Sequence, residues 1–268
     1  MKFGLAVPMA ADPLPLARLA EELGFDTVYV SDHIVPPTAQ AAYGRNLESL
    51  TVLAAIAAVT STVRIGSSVI VIPLREPVLF AKQVATIDLL SGGRLVLGVG
   101  AGWVEGEFAN VGVDFKTRGA RTDEAIRLLR HLFSGSTEPF AGRFTRLADF
   151  VFAPIPPQGA KLPILVGGHS PAAIRRAATA ADRYQPTFVP PEEFARLRAA
   201  VLAEAGGRKI EFGCRTAVRA EQAMEEVVEM VRAYEAEGVE EMTLGFAPGT
   251  ASAERLREIG ERVLPAFR

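Results

Sequence analysis

A short apolar run, Thr27-Val28-Tyr29-Val30, ends abruptly in Ser31-Asp32-His33. A neutral imidazole at such a strand end can donate a proton or hydrogen-bond a substrate near neutral pH, so His33 is the candidate catalytic residue. The competing reading is a surface histidine bonded to a backbone carbonyl. Asp32 beside it can accept a hydrogen bond from a ligand, or from its own backbone as aspartates that start loops often do. Further on, Arg94 to Trp103 reads RLVLGVGAGW, an apolar run that breaks into glycines at Gly98, Gly100 and Gly102. Glycines at a strand end let backbone pass close to a flat ligand, or simply pack closely. The run is no dinucleotide fingerprint, because the third glycine of G-x-G-x-x-G would fall on Trp103. Trp103 itself suits a packing aromatic or a stacking wall for an apolar substrate. Gly167-Gly168-His169-Ser170 offers free N–H groups at the start of a helix, an arrangement that favours an anion. Ser170 and Pro171 equally suit an ordinary N-cap and first helical position. Glu105 and Glu107 are placed on a solvated short helix. His33, His131 and His169 are scattered without metal-ligand spacing, so no metal site is expected, and no G-x-S-x-G nucleophile elbow is present.

These groups need a scaffold that brings strand ends together. Leu16, Leu19, Ala20 and Leu23 recur at one helical face, and Gly24 follows as the helix stop. The alternation of strand and helix then repeats. Strands are predicted at Lys2–Pro8, Thr27–Val30, Val63–Pro73, Arg94–Trp103, Pro163–Gly168, Tyr184–Val189, Ile210–Val218 and Glu241–Phe246, with helices between them. Ile34 to Leu47 reads as a long loop over the strand ends. Ser134 to Leu162, rich in glycine, proline and phenylalanine, reads as an excursion after the fourth strand. Eight strands alternating with helices predict a single closed (β/α)8 barrel over residues 1–268, with chemistry at the carboxyl ends of its strands.

The bulk properties agree with an enzyme-sized chain of 268 residues, 49% hydrophobic and 22% charged. A net charge of -2 and a pI near 6.0 give no field for nucleic acid or an anionic membrane. The single cysteine, Cys214, excludes an internal disulfide. With no basic-then-apolar leader and no apolar run of membrane-spanning length, the expectation is a soluble cytoplasmic protein. The expected partner is a small-molecule substrate; the oligomeric state is open, a homodimer included.

Several stretches together resemble the bacterial luciferase-like monooxygenase superfamily. They are Ser31-Asp32-His33, Gly66-Ser67-Ser68-Val69, SGGRLVLGVGAGW, Glu107-Phe108, Arg118-Gly119 with Asp123-Glu124, and PILVGG with its helix. Within it the chain is most similar to the deazaflavin (coenzyme F420)-dependent oxidoreductases, over nearly its whole length. The resemblance implies a (β/α)8 barrel that holds coenzyme F420, or alternatively FMN, at the carboxyl end of its strands. It implies that Asp32 meets the ring or ribityl edge, and that Ser68 and Val69 form a bulge with a non-proline cis peptide against the ring. Ala101 and Gly102 would lie near the ring, and Gly167, Gly168, His169 and Ser170 would hold the phosphate. Arg45 and Arg118 could meet the acidic tail of the deazaflavin. One position departs: the sugar-phosphate dehydrogenases of this group carry a proton-donating glutamate where this chain has Trp103, so that reaction is not expected here. The implied function is hydride transfer between the deazaflavin and a small organic substrate. The alternatives are an FMN-dependent monooxygenase and a cofactor-binding protein without turnover.

Overall fold

The computed structural model describes residues 1–247 and 249–268. In chain order the elements are β1 (Lys2–Ala6), α1 (Leu14–Glu22), β2 (Thr27–Val30), α2 (Ser49–Val59), β3 (Arg64–Ser67), β4 (Ile70–Val71), α3 (Pro77–Leu90) and β5 (Leu95–Gly100). They continue with α4 (Glu105–Asn110), α5 (Arg118–Phe133), β6 (Phe140–Ala141), β7 (Arg146–Leu147), β8 (Ile164–Gly167) and α6 (Pro171–Ala180). The last third adds β9 (Arg183–Gln185), α7 (Pro191–Glu204), β10 (Glu211–Val218), α8 (Met224–Ala236), β11 (Glu241–Phe246) and α9 (Ala253–Arg262).

The strands run in parallel in the order β3-β2-β1-β11-β10-β9-β8-β5-β4, and β3 also pairs with β5. That last pairing closes the sheet. β3 and β4 are two halves of one stave, parted at Ser68-Val69, so the barrel has eight staves as the alternation predicted. Among the described residues no helix is long and apolar enough to cross a membrane.

Side chains alternate across each stave. On β10, Phe212 and Cys214 pack outward into the apolar layer beneath the helices. Glu211 and Arg215 point into the lumen, where Glu211 meets Arg183 and Arg215 reaches Ser68. Burial pushes the Cys214 thiol up to about 12, so it is an inert packing group. The amino end of the lumen is closed by a polar plug. The Tyr29 hydroxyl donates to Glu241 Oε1 at 2.6 Å, Arg183 Nη2 donates to Glu241 Oε2 at 2.7 Å, and Lys2 pairs with Glu211 at 2.9 Å. Burial raises the Tyr29 pKa well above its ordinary value, which keeps the phenol a donor.

Two strands differ most from the sequence reading. The third strand is interrupted at Ser68-Val69 instead of running from Val63 to Pro73. The sixth is shorter and earlier, Arg183–Gln185, because Pro186 has no N–H to extend the ladder. The excursion after the fourth stave carries little regular structure beyond the β6–β7 hairpin. It is pinned by Glu124, buried on α5, which accepts from the amides of Arg143, Phe144 and Thr145 at 2.6, 2.9 and 2.7 Å.

Candidate active site

β2 delivers Asp32 and His33 to the carboxyl mouth of the barrel. His33 Nδ1 lies 2.9 Å from Glu107 Oε2. Glu107 Oε1 accepts from the amides of Ile34 at 2.8 Å and Val35 at 3.3 Å. An acceptor on Nδ1 fixes the imidazole plane and, with a carboxylate partner, puts a proton on Nδ1. Nε2 has no partner among the described residues. The His33 ring stacks on Tyr43 at 4.2 Å and meets Trp103 edge-on at 6.1 Å. Tyr43 and Trp103 are also edge-on, at 6.2 Å. His33 therefore stands in an aromatic corner built by the long loop and the end of β5.

Glu107 corrects the sequence reading. It was expected on a solvated helix with Glu105, yet it is 2% exposed. α4 has room for one apolar face, and Val104 and Phe108, both buried, turn Glu107 inward between them. The spacing Val104, Glu107, Phe108 is the signal that could have found it. The same carboxylate anchors the start of the loop, and Asn110 Nδ2 donates to Val35 O at 3.0 Å.

Asp32 is 4% exposed and its acceptor sites are taken up within the chain. Arg75 grips it with Nη1 on Oδ2 at 2.6 Å and Nη2 on Oδ1 at 2.8 Å. Ser49 Oγ adds 2.7 Å and the Val71 amide 2.8 Å. Four donors on four lone-pair directions make this carboxylate a clamp between β2, α2 and the end of β4.

The Ser68–Val69 peptide is cis, the geometry that the resemblance implies. The glycines around it have a more local task than making room for a flat ligand. A Cβ on Gly98 would fall 1.7 Å from the Ser67 carbonyl oxygen. One on Gly100 would meet Val69 Cγ2 at 2.7 Å, and one on Gly167 would meet Val69 Cγ1 at 2.9 Å. Gly102, at φ +82°, turns against Val71 and Phe108. The glycines of β5 and β8 thus seat the interrupted stave, and Val69, half-buried, is what they present to the mouth. Ala101 lies beside Gly102, half-buried at the same rim. Ser68 Oγ donates to Gln185 Oε1 at 2.7 Å, which continues to Thr243 Oγ1 at 2.9 Å.

Across the mouth Gly168, His169 and Ser170 are exposed at the start of α6. Ser170 accepts from the Ala173 amide at 3.2 Å as the N-cap, and His169 Nε2 accepts from the Thr187 amide at 3.1 Å. Gly168 sits at φ +111° and its carbonyl accepts from Tyr184. The amides of His169, Ser170 and Ala172 have no acceptor among the described residues, so the capping and anion readings of this turn coexist. Arg118 stacks on Phe115 with 3.7 Å to the ring centroid, and Arg45 is exposed on the loop. Sequence reasoning missed Arg215, whose Nη1 reaches the Ser68 carbonyl from β10.

A sequence model of the luciferase-like monooxygenase family matches residues 7–265. An uncharacterized protein of Mycobacterium tuberculosis is 36% identical over 216 residues, 74% of this chain and 74% of its own length. An F420-dependent glucose-6-phosphate dehydrogenase of Amycolatopsis mediterranei is 35% identical over 177 residues, 65% of this chain and 52% of that protein. An FMNH2-dependent dimethylsulfone monooxygenase of Pseudomonas putida is 30% identical over 256 residues, 92% of this chain and 68% of that protein. Among solved structures, an F420-dependent secondary alcohol dehydrogenase superposes with a TM-score of 0.85 at 19% identity, covering 100% of this chain and 99% of its own. A type II Baeyer–Villiger monooxygenase from Pseudomonas putida, in complex with FMN, gives 0.80 at 15% identity, covering 99% and 98%. At those identities the superpositions bear on the fold alone.

Proposed function

The chain belongs to the luciferase-like monooxygenase family, and from that premise we propose that it is an oxidoreductase using the deazaflavin coenzyme F420 on a small organic substrate. The observation that carries the reading is His33, held through Nδ1 by buried Glu107 in the aromatic corner of the mouth, with Nε2 left without a partner among the described residues. The fit of the cofactor rests on two features of the chain. Val69, seated by Gly100 and Gly167, offers an apolar platform for a flat ring, with Ser68, Ala101 and Gly102 at its border. The free amides of His169, Ser170 and Ala172 at the start of α6 offer donors for a phosphate. When bound, the deazaflavin supplies a hydride acceptor or donor at its ring carbon C5.

The protein's own part is proton handling and orientation. Glu107 fixes the His33 ring with its proton on Nδ1, so Nε2 can take a proton from a substrate hydroxyl or return one to a carbonyl oxygen. Trp103, 62% exposed, walls the same space and cannot itself protonate a substrate. Asp32 acts through Arg75 and Ser49, and it keeps β2 in register with the interrupted stave.

The FMN-dependent reading is favoured by the dimethylsulfone monooxygenase relative, which spans the most of this chain of the relatives described. Oxygen uptake separates the two. With reduced FMN, the protein should add nothing to the uptake of free reduced FMN. Uptake that depends on protein and is coupled to an organic substrate would promote the monooxygenase.

A further inference from the structure

Arg215 is the cation that the mouth leaves half-used. It comes from the lumen side of β10, with its own backbone tied to Pro186 O at 3.1 Å and to the Phe188 amide at 2.8 Å. Nη1 is anchored on the Ser68 carbonyl, with the Ser68 hydroxyl at 3.4 Å. Nε is out of reach of solvent and has no acceptor among the described residues. Nη2 has no acceptor among them either, and no carboxylate there forms an ion pair with this guanidinium. A buried donor and charge left this way is costly unless a partner arrives. Nη2 is the donor of this guanidinium that the mouth still reaches, and a charged N–H takes a carboxylate oxygen in a short, strong hydrogen bond. Anchoring through Nη1 leaves Nη2 free.

The surroundings say what the carboxylate is attached to. Tyr43 lies within electrostatic reach of Arg215, and the Tyr43 ring stacks on His33. Trp103 is 62% exposed and Phe188, which follows β9 beside the Arg215 backbone, is 66% exposed at a positive φ of 55°. Aromatic surface beside an unpaired guanidinium suits a flat apolar body that carries an acid. Burial pushes the Arg215 pKa down to about 10, which leaves it charged at neutral pH.

We propose that Nη2 of Arg215 is an anion subsite of the mouth that binds the carboxylate of an aromatic acid substrate. The proposal rests on the oxidoreductase reading of the same mouth. Its test uses benzoate as the probe and Trp103, the one tryptophan of the chain, as the reporter. Benzoate should change Trp103 fluorescence saturably, whereas neutral benzamide should bind about tenfold more weakly or not at all. Arg215→Met should lose the benzoate response, and Arg215→Lys should recover only part of it, since one ammonium does not hold the Ser68 carbonyl and a carboxylate as the planar guanidinium does. Should Arg215→Met fail to fold, the benzoate–benzamide contrast in the unsubstituted protein decides alone. Equal binding of benzamide, or an undiminished response in a folded Arg215→Met, overturns the subsite. Repeating the titration with cofactor bound separates ring from substrate: persistence of the benzoate response supports the substrate assignment, and its abolition gives Nη2 to the cofactor and overturns it. Benzoate binding in a protein that takes neither F420 nor FMN would sink the proposed function while the subsite stood.

Discussion

The chemistry proposed for this barrel rests on one histidine and the carboxylate behind it. His33→Ala should leave cofactor affinity nearly unchanged and lower turnover by about 10²–10⁴-fold, the range for one acid–base group. Unchanged turnover on an identified substrate would return His33 to a structural role. Glu107→Gln keeps a partner for the Ile34 amide but takes the carboxylate away from His33 Nδ1. It should lower turnover by about 10–100-fold with KM little changed, because the ring is no longer held in one tautomer and orientation. Unchanged turnover would show that the pair only braces the loop. Of these two residues, His33 was legible from its place at a strand end. Glu107 was not, because a charged residue near another charged residue reads as solvated until the flanking Val104 and Phe108 are seen as one face. The site lines of Asp32 show the same limit: an aspartate after a strand announces a polar role, but the partner that saturates it, Arg75, lies 43 residues away.

At the scale of the elements, the glycine stave was visible as a run, and its purpose was not. Close backbone approach could be inferred from Gly98, Gly100 and Gly102, but whether ligand or protein fills the space depends on the neighbouring stave. Substitution separates the cases. Gly98→Ala puts a methyl group 1.7 Å from the Ser67 carbonyl oxygen and should destabilise the fold by about 3 kcal/mol or more in urea unfolding. Gly100→Ala meets only Val69 Cγ2, a side-chain tip that can turn, so it should cost less stability and weaken cofactor binding through the displaced platform. A Gly98→Ala protein as stable as the parent would refute this packing of β5 on β3. Helix starts with local signals, such as Ser170-Pro171, were read to the residue. The sixth strand was not, since its end is set by a proline and its pairing by two neighbours distant in sequence.

Over the whole molecule, the barrel is drawn together by carboxylates that accept from backbone or from buried arginine. Burial alone would raise the Glu21 pKa. The amides of Thr62, Val63 and Ser61, with the Thr62 hydroxyl, outweigh it and lower Glu21 from 4.5 to about 2, linking α1 to the head of β3. A folded pKa below the unfolded one adds stability that is complete above about 4.5 and is lost as pH falls toward 2. Unfolding free energies should therefore drop between pH 5 and 3, and Glu21→Gln should drop less. Equal slopes in the two proteins would remove Glu21 from the acid response. In the plug, Glu241→Gln strips a buried charge from Arg183 and should cost about 3 kcal/mol, the scale for breaking a buried pair. Eightfold alternation made the closed barrel legible, because period and connection length belong to the sequence itself. The polar plug was not legible, because Lys2, Tyr29, Arg183, Glu211 and Glu241 converge only when the barrel closes.

The central claim is that this mouth takes a deazaflavin in preference to a flavin. Purified protein, freed of cofactor, is titrated with F420 and with FMN at two salt concentrations while ligand fluorescence is followed. Tighter binding of F420 that weakens with salt is the predicted result, because the acidic tail would meet exposed arginines whose attraction is screened. Submicromolar FMN binding with no measurable F420 binding would contradict the account.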